Sequence, residues 1–335
     1  MFEAISDFFY RLAVSPLWPV YEFLHDGTSR YFWLYCITGF VIAALVHQSY
    51  ASERTFGDTM FNRDTWASRS ALNDYYIVVI GAALRLTILS WVLIKWKPIA
   101  AFVVSVLTWL GVTGTVNDSY AFVIGAALTV SLFVVDDFLK FVVHYYAHKV
   151  PELWEFHKIH HSAEHLNFAT AERIHPAEIV LTTFAVAIGI GVVNGLFIAF
   201  FGDKITPFTV FGANVLLVLV NIFGGVLRHS PMWISFGPKV EKWIISPAMH
   251  QIHHSDNPRH YDSNMGVSLA IWDRMFGTHY FASDRTEITG FGIGEETRDF
   301  RSLKVIYFRP FIRSFELVRD RVRQLLGSPS PTPSA

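Results

Sequence analysis

Thirteen of the fifteen histidines in this 335-residue chain fall between His144 and His279, and several of them stand at helical intervals. His144 and His148 are four apart in Phe-Val-Val-His-Tyr-Tyr-Ala-His, so on a helix both imidazoles leave the same face. His157, His160 and His161 stand at i, i+3 and i+4 in Leu-Trp-Glu-Phe-His-Lys-Ile-His-His, and the pattern returns as His250, His253 and His254. Neutral imidazole binds iron, copper, nickel and zinc, and eight such ligands exceed what one tetrahedral ion takes, which points to two ions. His229, in Leu-Arg-His-Ser-Pro, is a ninth candidate ligand, and His175, in Arg-Ile-His-Pro, is a ligand or a substrate-pocket residue. His25, His47, His165, His260 and His279 read as ordinary hydrogen-bonded or boundary side chains.

The elements that must position these residues belong to a membrane protein. The chain is 52% hydrophobic and 16% charged with mean hydropathy +0.34, which an ordinary soluble domain does not show. Its net charge of -1 gives no pull toward nucleic acid. A single cysteine, Cys36, excludes a disulfide framework, a four-cysteine zinc site and an iron-sulfur cluster within one chain. Glu3 and Asp7 precede any long apolar run, with no basic segment before them, so the start does not read as a cleaved signal peptide. Residues 1–30 are expected to form an interfacial segment broken by Pro16 and Pro19.

Apolar runs at 31–46, 76–94, 99–112, 120–139, 180–201 and 208–227 give at most six spanning helices, the third short enough to dip in without crossing. From Tyr120 to His148 a single helix would run roughly 43 Å against an apolar layer of roughly 30 Å, which brings the His144/His148 pair to a membrane boundary. Lys140, Lys149, Lys158 and Arg173 after that run make this boundary the cytoplasmic one by the positive-inside rule. The organisation expected is transmembrane helices over 31–139 and a histidine-rich region over 140–283 with a transmembrane hairpin at about 180–227. A cytoplasmic tail over 284–335 follows, disordered from about 327. The fold class is all-α: a polytopic membrane protein with a cytoplasmic, histidine-rich helical cap holding two metals.

The ordered series of motifs from Asp137 to Tyr280 resembles the fatty acid hydroxylase and sterol desaturase superfamily of membrane di-iron oxygenases. The resemblance rests on Asp137 seven residues before His144, the His-x3-His pair, Pro-Glu-Leu-Trp-Glu-Phe-His-Lys-Ile-His-His-Ser, Arg-Ile-His-Pro, Arg-His-Ser, His-Gln-Ile-His-His-Ser, and Tyr-Asp-Ser-Asn-Met-Gly followed by Ile-Trp-Asp-Arg-Met-Phe-Gly-Thr. Tyr145, Phe141 and Met265 depart from the residues common there. The resemblance implies two iron ions, O2 as co-substrate, and oxidation of a fatty acyl, sterol or ether lipid, with hydroxylation favoured over desaturation. Zinc in the iron positions of a structure would leave that reading intact.

Asp137, Asp262, Asn264 and Asp273 are expected to orient the imidazoles from behind, and Arg85 to pair with a carboxylate such as Asp136. A zinc hydrolase is disfavoured because no His-Glu-x-x-His stretch occurs, and a metal transporter because the histidines gather at one boundary instead of along a path. No cytochrome b5-like His-Pro-Gly-Gly, Cys-x-x-Cys-His or Gly-x-Gly-x-x-Gly turn is present. Electrons are therefore expected from a separate reductase, ferredoxin or cytochrome b5-like donor, in a bacterial inner membrane or, alternatively, the endoplasmic reticulum.

Overall fold

The computed structural model describes residues 2–49, 54–115, 118–282 and 288–326. Helices α1 (Phe2–Val14) and α2 (Trp18–His25) are separated at Ser15–Leu17, next to the two prolines that cannot continue a helix. α3 (Trp33–Ser49) is an apolar helix of 17 residues, just under the length of a full crossing. α4 (Arg69–Leu84) starts where the Ser68 side chain accepts from the Ala71 amide, and it continues through a π-helical turn, Arg85–Leu89. α5 (Trp96–Trp109) and α6 (Ala121–Lys149) follow. Pro151 takes the first position of α7 (Pro151–His161), and Pro176 that of α8 (Pro176–Phe201), where its missing N–H costs nothing.

Three segments are long and apolar enough to cross a membrane among the described residues: Arg69–Trp109, Asp118–Lys149 and Pro176–Phe201. A row of small residues lets them approach closely. Ala187, Gly191, Gly195 and Ala199 recur every fourth residue on the buried face of α8. A methyl group on Gly191 would lie 2.6 Å from the Ile99 Cβ, and one on Gly195 would lie 2.6 Å from the Val103 Cβ. Such small-residue seams drive helix association in lipid, where burial of apolar surface gives no advantage over contact with acyl chains.

This seam brings the spans below the upper count of six. Ile99 opposes Gly191 and Val103 opposes Gly195, so α5 runs parallel to α8. The whole of α4 meanwhile stays beside the segment leading into α8, because Asp74 pairs with Arg173 and Arg85 with Glu172, each at 2.7 Å. Runs 76–94 and 99–112 therefore belong to one membrane-capable segment, Arg69–Trp109, in keeping with the expectation that 99–112 need not cross by itself. Arg85 does not pair with Asp136, which is held instead by Lys140 at 2.7 Å.

The run 208–227 is also not a spanning helix. A two-stranded hairpin, β1 (Thr209–Val210) with β2 (Ala213–Asn214), turns at Phe211 and Gly212, both in the left-handed region at φ 51 and 77. The Phe208 amide donates to Thr129 Oγ1 at 2.7 Å and Asn214 to the Thr129 carbonyl at 2.9 Å, tying the hairpin to α6. Only α9 (Val215–Ile222) is helical, and eight residues reach about 12 Å. Gly224, at φ 113, then opens the short turn Gly225–His229 that delivers His229.

α10 (Pro247–His253) is capped by Ser246 and almost wholly buried. Residues 288–326 are not an appended tail. α11 (Leu303–Leu325) packs on α7, and Phe300 and Ile306 form one buried cluster with Ile77 and Ile159. The disorder expected from about 327 falls outside the described residues.

Candidate metal centre

Nine histidines stand in two groups, and the partition cuts across the sequence motifs. His144, His148, His157, His161 and His253 form one group, and His160, His229, His250 and His254 form the other. Within each group the candidate ligand nitrogens lie within 4.8 Å of one another. Each triplet is therefore shared: α7 sends His157 and His161 to the first group and His160 to the second, while the α10 segment sends His253 to the first and His250 and His254 to the second.

The nitrogen spacing fits an ion. Two imidazole nitrogens bound at about 2.1 Å to one metal sit about 3.0 Å apart at a right angle and about 3.4 Å apart at a tetrahedral angle. In the second group, His229 Nε2 lies 3.0 Å from His250 Nε2 and 3.2 Å from the Nε2 atoms of His160 and His254. His250 and His254 are also 3.2 Å apart at Nε2, as are His157 and His161 in the first group. The Nε2 atoms of His144, His148 and His253 are buried and have no hydrogen-bond partner among the described residues. Buried polar atoms are rarely left so, and a convergent set of them fits a cation.

Chemistry fixes which nitrogen is offered. His144 Nδ1 lies 2.7 Å from the Met265 carbonyl and His253 Nδ1 lies 2.7 Å from the Ser263 carbonyl. A carbonyl only accepts, so each Nδ1 carries the hydrogen and each Nε2 presents its lone pair to the group. His157 Nδ1 likewise meets Glu178 Oε1 at 2.9 Å, and His148 Nδ1 stands 3.4 Å from Asp262 Oδ1. The imidazoles outside the spans are held neutral: burial pushes His160, His161, His229, His250, His253 and His254 well below the ordinary imidazole value. Neighbouring imidazoles add to this in most of them, and Arg30 and Arg228 do so for His229.

The expected supporting residues act at one remove. Asp137 does not touch His144; its carboxylate accepts from the Ser268 and Leu269 amides at 2.8 and 3.0 Å and from Trp272 at 2.9 Å. Asp273 accepts from the Met265 and Gly266 amides at 2.7 and 2.8 Å and from Thr278 at 2.6 Å. Together they hold the loop whose Met265 carbonyl receives His144. Asn264, at φ 52, donates to the Met249 and Tyr280 carbonyls at 3.1 and 2.9 Å, and Asp262 divides itself between His148 and Lys149.

His175 belongs to neither group. It caps α8, accepting from the Ala177 amide at 3.1 Å, while its Nε2 meets the Tyr307 carbonyl at 3.2 Å. Both ring nitrogens are thus engaged with backbone.

Sequence reasoning missed Glu178 and Arg173. Glu178 lies in the first turn of α8, three residues past His175, where an acid suits the positive end of a helix; that position was its only local signal. Arg173 is 1% exposed. It donates to Asp74, Ser162, and the carbonyls of Ile159, Ser70 and Phe300, fastening the end of α7 to α4 and to the turn before α11.

A cavity of about 380 Å³ borders the first group, lined by His148, His161 and His253 together with Trp154, Lys158 and Asp262. All four members of the second group are buried.

The Fatty acid hydroxylase family model matches residues 129–278, the stretch that holds all nine histidines. The chain is 29% identical to an alkylglycerol monooxygenase of Danio rerio over 57% of its own length and 39% of the relative's. It is 33% identical to the alkylglycerol monooxygenase of Xenopus tropicalis over 42% of its length and 28% of the relative's. It is 29% identical to the ornithine lipid hydroxylase OlsE of Rhizobium tropici over 44% of its length and 40% of the relative's. The chain thus spans less than half the length of each of these relatives. No solved structure matches it.

Proposed function

From a chain that carries a fatty acid hydroxylase domain over residues 129–278, we propose a membrane monooxygenase that hydroxylates a C–H bond of a lipid, with two iron ions held by the two histidine groups. The observation that carries this reading is the convergence of nine imidazoles into two sets with ligand spacing, five of their nitrogens at the end of α6 and on α7 and α10, four on α7, α10 and the His229 turn. Imidazole donors bind iron as they do zinc, copper and nickel. The choice of iron rests on the need for a redox-active metal in the oxygenation that the relatives named hydroxylase or monooxygenase favour over desaturation. When bound, the irons supply the activation of O2, which no acid, base or nucleophilic side chain can supply for an unactivated C–H bond.

The chain's own residues hold, orient and shield. The Met265 and Ser263 carbonyls and Glu178 keep three Nε2 lone pairs turned inward, and burial keeps the imidazoles unprotonated. His144 and His148 lie in the last two turns of α6 and Glu178 in the first turn of α8, so the centre stands at the edge of the apolar layer. A lipid can present a C–H bond there while the rest of its hydrocarbon stays in the bilayer. Lys140 and Lys149 near this edge support a cytoplasmic centre by the positive-inside rule, and the membrane we favour is a bacterial inner membrane, with the endoplasmic reticulum as the alternative. A separate reductase, ferredoxin or cytochrome b5-like protein supplies the electrons.

The test compares lipid extracts, by mass spectrometry, from cells carrying the intact chain and a His253→Ala variant. A lipid heavier by one oxygen only with the intact chain is the expected result. Loss of two hydrogens instead would make it a desaturase, and identical extracts with iron-loaded protein would overturn the reading.

A further inference from the structure

Helix α11 has two apolar faces, and one of them is uncovered. Ile306 and Pro310 are buried on the face that packs toward α7. On another side Phe308, Phe311, Ile312, Phe315, Val318 and Val322 recur at three- and four-residue steps, each between 46% and 68% exposed. A stripe this long and apolar is uncommon on a surface that faces only water.

The helix is tied at both ends to places where the chain enters or leaves the apolar layer. Near its start, the Tyr307 carbonyl meets His175 Nε2 at 3.2 Å and the Phe311 ring lies 5.0 Å from the His175 ring, and His175 is the cap of α8. Near its end, Arg321 reaches Glu152 at 3.1 Å, in the first turn of α7, which begins two residues after α6 stops. A helix pinned to the ends of two spans lies along the boundary between lipid and water. Leu303–Leu325 also carries six basic residues against two acidic ones. Its arginines pair with carboxylates of this helix and its neighbours, and the helix keeps a net positive charge, the sign that favours anionic headgroups.

We propose that α11 rests in the interface of an anionic bilayer, with the Phe308-to-Val322 stripe among acyl chains and its net positive charge near the phosphate level. α7, which carries His157, His160 and His161, is then held between the spans and a membrane-seated helix.

The test uses the full chain with Cys36→Ser, or Cys36→Ala should the serine variant fail to fold, in vesicles containing about a third phosphatidylglycerol. Nitroxide labels are placed singly at Phe315→Cys, Val322→Cys and, as a flank control, Arg313→Cys. Collisions with O2 should exceed those with a water-soluble nickel chelate about tenfold more at Phe315 and Val322 than at Arg313, and that excess should shrink in vesicles of phosphatidylcholine alone. Equal access of the nickel chelate at all three positions would overturn the proposal. So would spin-spin broadening at Phe315 that disappears on dilution with unlabelled chain, because a second copy would then be the covering surface. An excess that is the same in both lipids would overturn the role of anionic headgroups.

Discussion

The two histidine groups differ in what holds them. In the five-membered group, four imidazoles are braced from behind by the Met265 carbonyl, Asp262, Glu178 and the Ser263 carbonyl, and a cavity reaches three of its members. In the four-membered group every ring is buried, and the Nδ1 atoms of His160 and His250 have no hydrogen-bond partner among the described residues. The first group is oriented by polar contacts before any ion arrives, and the second by packing. An ion lost from the first should therefore leave the rings in place, while the second depends more on its ion to set ring rotation.

The largest effect should come from removing a ligand. His157→Ala should empty the five-membered group and His229→Ala the four-membered one, each lowering iron from about two per chain toward one and taking turnover to background, read by elemental analysis and product formation. Full activity in either variant is incompatible with the grouping.

Arg173→Ala comes next and should blur the difference between the groups. It leaves Asp74 buried without its cation and frees the Ile159 and Ser162 end of α7, beside His160 and His161. A loss of about 3–5 kcal/mol is expected, seen as a lower unfolding temperature and as loss of both ions together. Loss of one ion with unchanged stability would mean that Arg173 does not anchor the helix.

Glu178→Ala should act on the five-membered group alone. Removing the partner of His157 Nδ1 should weaken metal binding there by about 10–100-fold, measured by titration. Glu178→Gln, which keeps an acceptor, should recover most of it. Equal weakening in the four-membered group would remove the distinction between them.

The pH response of the metal-free protein is smaller. Burial holds the folded-state values of His160, His161, His229, His250, His253 and His254 below the ordinary imidazole value of about 6.5. Below that value the unfolded chain binds more protons than the folded one, so stability should be level above about pH 6.5 and fall as the pH drops further. Melting temperatures between pH 8 and pH 5 check this, and a rise toward acid would contradict it. The smallest effect is kinetic: a hydrophilic chelator should strip the cavity-lined group before the enclosed one, giving a chain with about one ion as a transient in a time course of metal content.

Much of this was legible in the sequence because imidazoles at four-residue steps on helices have few other uses. The 29-residue helix Ala121–Lys149, with His148 in its last turn, follows from an apolar run stopped by Pro151. What the motifs hid was the division of each triplet. On a helix, His160 points about 100° from His161, and whether both reach one ion or two depends on the α10 segment that faces them.

The braces behind the rings were hidden for a related reason. Two are backbone carbonyls, invisible as residue types, and Glu178 lies 21 positions from the ring it holds. Asp137 shares a face with His144, but a nearer set of donors at residues 268–272 claims it. Composition gave only an upper count of spans, because it does not show that Phe211-Gly212 breaks one apolar run or that the Arg85–Glu172 pair keeps part of another beside the histidine layer.

The most direct test of the central claim is the iron content of the purified chain in lipid, measured alongside that of His157→Ala and His229→Ala. About two ions in the intact chain and about one in each variant is the result predicted. One ion in the intact chain, with both variants empty, would mean that the nine histidines form a single centre and would contradict the account.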